Sequence, residues 1–174
     1  KNVGTSKKTG TKITFWADPK IFSVTELHFD SLSQRLRALS FLNPGVGISI
    51  LDERTEKKHD FAYEGGIKSF VEHLNKAKQA IHDKVIFFQE VKGGTNDPKR
   101  DADKERVEIA LQWNEGYAET LFTFTNTINN RDGGTHLEGF KTALTRAIQK
   151  YAEANGLTKG LKETTLSGDD CREG

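Results

Sequence analysis

Methionine is absent from all 174 residues, and cysteine occurs once, at Cys171. A single cysteine cannot close an internal disulfide, which excludes a small secreted scaffold held by disulfide staples and fits a reducing compartment. Long apolar runs are missing as well. Stretches such as Val85 to Phe88 fall far short of the roughly 20 residues that a bilayer-crossing helix needs. No charged start leads into an apolar stretch, so the expectation is a chain with neither signal peptide nor membrane span. Nor does one sign of charge dominate: 26 Lys and Arg face 25 Asp and Glu, for a net charge of +1. That balance excludes a charge-driven tail. Repeats and low-complexity tracts are also lacking.

What is present is enough apolar material for one or two small cores, at 34% hydrophobic with 11 Phe and 2 Trp. A domain near this length buries about 70% of its unfolded surface and can fold without staples. The linker-like start, residues 1–10, and the end at Ser167 to Gly174, which has no closing element, lead to the expectation of a piece of a longer protein.

Lys12 to Trp16 alternates apolar and polar residues up to Asp18-Pro19 and predicts a strand whose partners lie elsewhere. Leu32, Leu36, Leu39 and Leu42 then recur at helical spacing, with Ser31 and Gln34 as a capping box and Asn43-Pro44-Gly45 as the stop, which predicts a helix over 31–42. Strands follow at 46–51 and 59–63 around a charged turn. Gly65-Gly66 opens a second helix, 66–77, striped by Ile67, Phe70, Val71 and Leu74. A strand over 84–90 precedes a polar stretch, 92–105, assigned to a mobile loop. Val107, Ile109, Leu111 and Trp113 alternate into Asn114-Glu115-Gly116, which predicts a hairpin returning over 121–125. After a turn-rich connector, Thr135 with Glu138 forms a second capping box, and Leu137, Phe140, Leu144, Ile148 and Tyr151 stripe a helix over 135–154. The order reads as an α+β layer, with helices on one face of a mostly antiparallel or mixed sheet.

Catalytic chemistry is thin. The five histidines sit in different elements without metal-ligand spacing, and no phosphate loop, dinucleotide fingerprint or nucleophile elbow occurs. Cys171 follows Asp169 and Asp170, whose negative charge raises a thiol pKa, so it reads as inert. Arg131 to His136 is a sharp Gly-Gly turn into a helix. Either the helix N-terminus and Arg131 hold an anion or order a neighbouring domain, or the glycines supply backbone angles and Thr135 caps. Lys141, Arg146 and Lys150 are expected on the exposed side of the same helix and could pair with phosphates, although surface Lys and Arg commonly serve solvation.

Five blocks in order carry a resemblance: Ser40 to Val46, Phe61 to Ile67, Ala110 to Gly116, Asn130 to Arg146, and Gly168 to Gly174. Together they resemble the B subunits of bacterial DNA gyrase, from about Thr9 to Gly174. Topoisomerase IV B subunits share the Gly-Gly-Thr-His turn and the Tyr-Glu-Gly-Gly helix entry, but Arg131-Asp132 ahead of the glycines is more similar to gyrase.

The resemblance implies a cytoplasmic, ATP-driven type IIA topoisomerase. Residues 1–17 would be the C-terminal remnant of a GHKL ATPase domain, and residues 18–174 a transducer of the ribosomal-protein S5 domain 2-like fold, truncated at its end. It implies ATP and Mg2+ bound by the parent outside this chain, homodimerisation on ATP binding, relay of that closure to the DNA gate, and double-stranded DNA and the DNA gyrase A subunit as partners. It carries adenine contact over to Thr11 and Ile13 and a DNA-channel role to Lys141, which helical geometry extends to Arg146 and Lys150. No catalytic residue and no metal site fall within the chain, so by itself it should not turn over ATP. A different class of reading is a non-enzymatic, S5-like nucleic-acid-binding module.

Overall fold

The computed structural model describes residue 5 and residues 9–93, 104–159 and 165–174. Its elements run α1 (Phe29–Leu42), β1 (Ile48–Asp52), β2 (Lys57–Phe61), α2 (Gly66–Asn75), β3 (Ile86–Lys92), β4 (Glu105–Leu111), β5 (Phe124–Thr125), β6 (Ile128–Asn129) and α3 (Thr135–Ala154). Helices and strands both contribute, as α+β requires. In place of the expected single sheet, mostly antiparallel or mixed, the described residues form three separate antiparallel pairs, β1–β2, β3–β4 and β5–β6.

The core forms where aromatic residues of four segments meet. Phe41, at the end of α1, is 1% exposed. It stacks on Tyr63 at 3.8 Å between centroids and tilts against Phe70 of α2 at 5.2 Å. Phe70 continues the contact to Phe122 at 5.3 Å and Phe124 at 6.4 Å. Beside this cluster, Phe29 meets His59 edge-on at 5.1 Å. The His59 ring also shares a 2.6 Å hydrogen bond through Nδ1 with the Ser33 hydroxyl. That bond satisfies a serine which is only 3% exposed and which an apolar surrounding would otherwise penalise.

Gly66 is required where α2 begins. Its φ is 61°, and a Cβ there would sit 3.2 Å from the Pro44 ring, so the end of α1 and the start of α2 pack only around a bare backbone.

Several expectations need correction. Residues 12–16 form no strand; Ile13, Phe15 and Trp16 are 81%, 71% and 86% exposed on an open arm. Alternation makes a strand only when another edge accepts its hydrogen bonds, and none is placed beside it among the described residues. The Ser31 and Gln34 capping box does not form, because α1 starts earlier, with His28 as N-cap and no side-chain cap bond. The hairpin expected between 107–113 and 121–125 is re-paired: β4 lies against β3 in the register Ile86↔Leu111 to Lys92↔Glu105. The returning segment instead makes the short β5–β6 turn. β3 offers seven residues in register with β4, whereas β5 is two residues long. The segment expected as a mobile loop joins β3 to β4, and its central residues, 94–103, lie outside the described residues. Helix α3 matches its expected span residue for residue, yet Gly134 is its N-cap and no side chain caps it, so the Thr135 and Glu138 box is absent. Along α3, Leu137, Phe140, Leu144 and Ile148 are partly buried, whereas Tyr151 is 66% exposed and Ala152 takes the inward place.

Candidate nucleotide and nucleic-acid surfaces

Thr11 and Ile13, the two positions expected to contact adenine, occupy the exposed arm. Thr11 is exposed and Ile13 is 81% exposed, and among the described residues neither makes a hydrogen bond outside its own neighbours. An adenine site needs walls on more than one side, and the described residues supply none around these two. Nor do any three of the described His, Cys, Asp or Glu side chains come together as a metal-holding group. The residues present therefore do not fit a complete nucleotide-Mg2+ site.

The three basic residues all fall on α3 but do not share a face. At about 100° per residue, Lys141 and Lys150 are separated by about half a turn, whereas Arg146 and Lys150, four apart, are neighbours. Burial follows this geometry. Lys141 is partly buried on the side carrying Phe140 and Leu144, while Arg146 and Lys150 are exposed. Arg146 and Lys150 thus make one outward basic ridge, and Lys141 belongs to the inward stripe.

The turn into α3 is set by its glycines. Gly133 has φ 77°, and a Cβ there would approach the Leu137 side chain to 3.0 Å; at Gly134 the His136 ring would be 2.9 Å away. The Gly134 carbonyl accepts from the amides of Leu137 at 3.0 Å and Glu138 at 3.1 Å, which starts the helix. Of the two readings of this turn, the backbone-angle role of the glycines holds, but capping by Thr135 does not. A shallow cleft of about 350 Å³ opens here between Phe122, Asn130, Arg131 and Leu137.

Two nodes escaped sequence reasoning. In the first, the Ser167 to Gly174 block closes against residues 113–119. The Trp113 indole donates to the Cys171 carbonyl at 3.3 Å, and Asn114 donates to the Gly174 carbonyl from its backbone at 2.8 Å and its side chain at 2.7 Å. Arg172 reaches Glu119 at 3.3 Å and Asp169 at 2.7 Å. Cys171 is 5% exposed inside this closure. Burial, and then the Asp170 carboxylate, raise its thiol pKa, in line with an inert side chain.

The second node is Arg54, in the β1–β2 turn. Its guanidinium takes both oxygens of Asp52, at 3.0 and 2.9 Å, together with Glu26 at 2.9 Å and the Leu27 carbonyl at 3.0 Å. Hydrogen bonding from the Arg54 side chain and then its backbone amide holds the Asp52 carboxyl down at about 2. The paired charges in Asp-Glu-Arg were readable; their reach to a residue 28 positions earlier was not.

The DNA gyrase B family model matches residues 66–174. The chain is 50% identical over its whole length to the DNA gyrase B subunit of Myxococcus xanthus, of which it spans 20%. It is 49% identical over 99% of its length to that of Clostridium acetobutylicum, spanning 25% of that protein. Among solved structures, it superposes with a TM-score of 0.67 on the 43K ATPase domain of Thermus thermophilus gyrase B, solved with an aminocoumarin. That match has 31% identity and covers 90% of this chain and 40% of the other.

Proposed function

Because the chain belongs to the DNA gyrase B family, we propose that it is the transducer part of an ATP-dependent type II topoisomerase subunit. In that role it relays closure of an ATP-bound dimer to the gate through which one DNA duplex passes another. The observation that carries the reading is the family match over 66–174 together with the likeness of 90% of the chain to a gyrase B ATPase fragment. The chain spans about a fifth of a curated relative's length, so supercoiling, ATP and Mg2+ use, dimerisation, and partnership with the gyrase A subunit and duplex DNA belong to the parent in this reading. So does a cytoplasmic location. Residues 1–17 are proposed as the end of the preceding GHKL domain and 18–174 as the S5 domain 2-like transducer.

When bound by the complete parent, ATP supplies the free energy of dimer closure. Within this chain, Thr11 and Ile13 would offer one wall to the adenine once the rest of that domain surrounds the arm. The Arg146 and Lys150 ridge would attract duplex phosphates without reading sequence, which suits a duplex that must move on. Lys141 shares this role only where its ammonium reaches past the inward face of α3.

The test is a graft. This chain replaces its matching segment in the gyrase B protein of Myxococcus xanthus, and the hybrid is assayed with the gyrase A subunit, relaxed plasmid and ATP-Mg2+. ATP-dependent negative supercoiling supports the reading. A hybrid that dimerises on ATP yet passes no strand would overturn the relay role, and DNA binding without either activity would leave the S5-like binding module.

A further inference from the structure

We infer that Arg54 is a positioning residue that clasps the segment entering α1 to the β1–β2 turn, so that displacement of the N-terminal arm moves the strand pair with it. This rests on the transducer reading above, in which the arm continues into the ATPase domain. Residues 23–27 belong to no helix or strand. Among the described residues, the hydrogen bonds tying them to the remainder of the chain are the two from Arg54, to the Glu26 carboxylate and the Leu27 carbonyl. The same guanidinium is anchored on its other side by both oxygens of Asp52, and the Arg54 amide donates to Asp52 at 3.0 Å.

The geometry explains why this position needs arginine. A planar fork can hold acceptors on two sides at once, whereas an ammonium is a single point of charge. The Asp52 side chain is only 10% exposed, against 56% for Arg54 and 72% for Glu26. The anchor is therefore fixed in the strand pair, and the outer grip faces solvent. An exposed ion pair by itself contributes little to folding. A clasp with a firm inner half and a solvent-facing outer half can transmit a direction of pull without dominating stability, which is the property a relay between two bodies requires.

The experiment has two arms. In the 174-residue chain, backbone NMR order parameters of residues 24–28 are compared between wild type and Arg54→Ala. They should fall from the rigid range, about 0.85, to below about 0.6, with α3 unchanged. In the full-length hybrid assembled with the gyrase A subunit, Arg54→Ala and Glu26→Ala should each lower supercoils introduced per ATP at least fivefold while leaving DNA-free ATP turnover within twofold. Arg54→Lys should recover only part of the coupling, and the double variant should be no worse than Arg54→Ala. If wild-type hybrid shows no DNA-coupled turnover, the transducer reading fails. If wild type couples normally and Arg54→Ala does too, the clasp fails. Equal loss of both rates would assign Arg54 to folding and also overturn the proposal.

Discussion

Phe41 is where the packing makes its sharpest demand. Its side chain is 1% exposed, lies stacked at 3.8 Å on Tyr63, and touches Phe70 and His73 at 5.2 and 5.6 Å. Phe41→Ala removes the ring from a site whose neighbours come from α1, α2 and the segment after β2, so the surroundings can close over the void only in part. A loss of about 3–5 kcal/mol is expected for such a truncation. With a urea slope of about 2 kcal/mol/M, a loss of about 4 kcal/mol moves the midpoint down by about 2 M. Phe140 has the same chemistry on α3 but is only partly buried, so Phe140→Ala should cost about 1–2 kcal/mol. Phe41→Leu keeps an apolar side chain and should fall between wild type and alanine, at about 1–2 kcal/mol. The assay is equilibrium urea unfolding followed by far-ultraviolet circular dichroism, with the slope checked for constancy. A Phe41→Ala loss below about 1 kcal/mol, or one no larger than that of Phe140→Ala, would place the core elsewhere.

Acid titration should report on the Arg54 node. Asp52 has a folded pKa of about 2 against an ordinary 3.8, so the folded state binds its proton less readily than the unfolded one. The stabilisation is then complete above about pH 4 and lost as pH falls toward 2, a dependence that Asp52→Asn should remove. Steady ATP turnover by the purified chain should be absent, since Thr11 and Ile13 stand on an open arm; turnover that no outside contaminant explains would refute the gyrase reading of its parts. Charge reversal on α3 should separate its faces. Arg146→Glu and Lys150→Glu should change stability by less than about 0.5 kcal/mol. In the full-length parent they should weaken DNA-stimulated turnover, with the salt slope of log affinity falling by about 0.9 per contact. Lys141→Glu, on the partly buried side, should cost stability as well, which thermal unfolding would detect.

Local periodicity made the three helices legible. Leu32 to Leu42, Ile67 to Leu74 and Leu137 to Ile148 repeat at spacings only a helix satisfies, and α3 follows its pattern from Thr135 to Ala154. Caps were read less well: Ser31 lies inside a helix that begins earlier, and Thr135 is the first residue of α3, one position past its N-cap Gly134. Strand pairing was illegible for a deeper reason. Alternation in Val107 to Trp113 says that one face is covered but not which strand pairs with it, and the choice of Ile86 to Lys92 depends on contacts between segments separated in sequence. Lys141 came from the family resemblance and Arg146 and Lys150 from its extension along the helix, yet the angle of about 100° per residue puts Lys141 on a different face from the other two. The Arg54 and Gly174 nodes join residues 28 and 60 apart, a separation at which no local pattern carries a signal.

The closure of Gly174 over Asn114 also sets a clock on synthesis. Asn114 precedes its partner by 60 residues, which at about 5–20 residues per second is about 3–12 s of translation. For that interval Trp113 and Asn114 emerge without the carbonyls that satisfy them, while the Phe41 cluster already has every ring it needs once Phe124 has been made. The aromatic half can therefore condense on the nascent chain first, and the half built around Trp113 must wait for its last contacts. A slow-codon stretch after Phe124 would lengthen that exposure, whereas one before Trp113 would not.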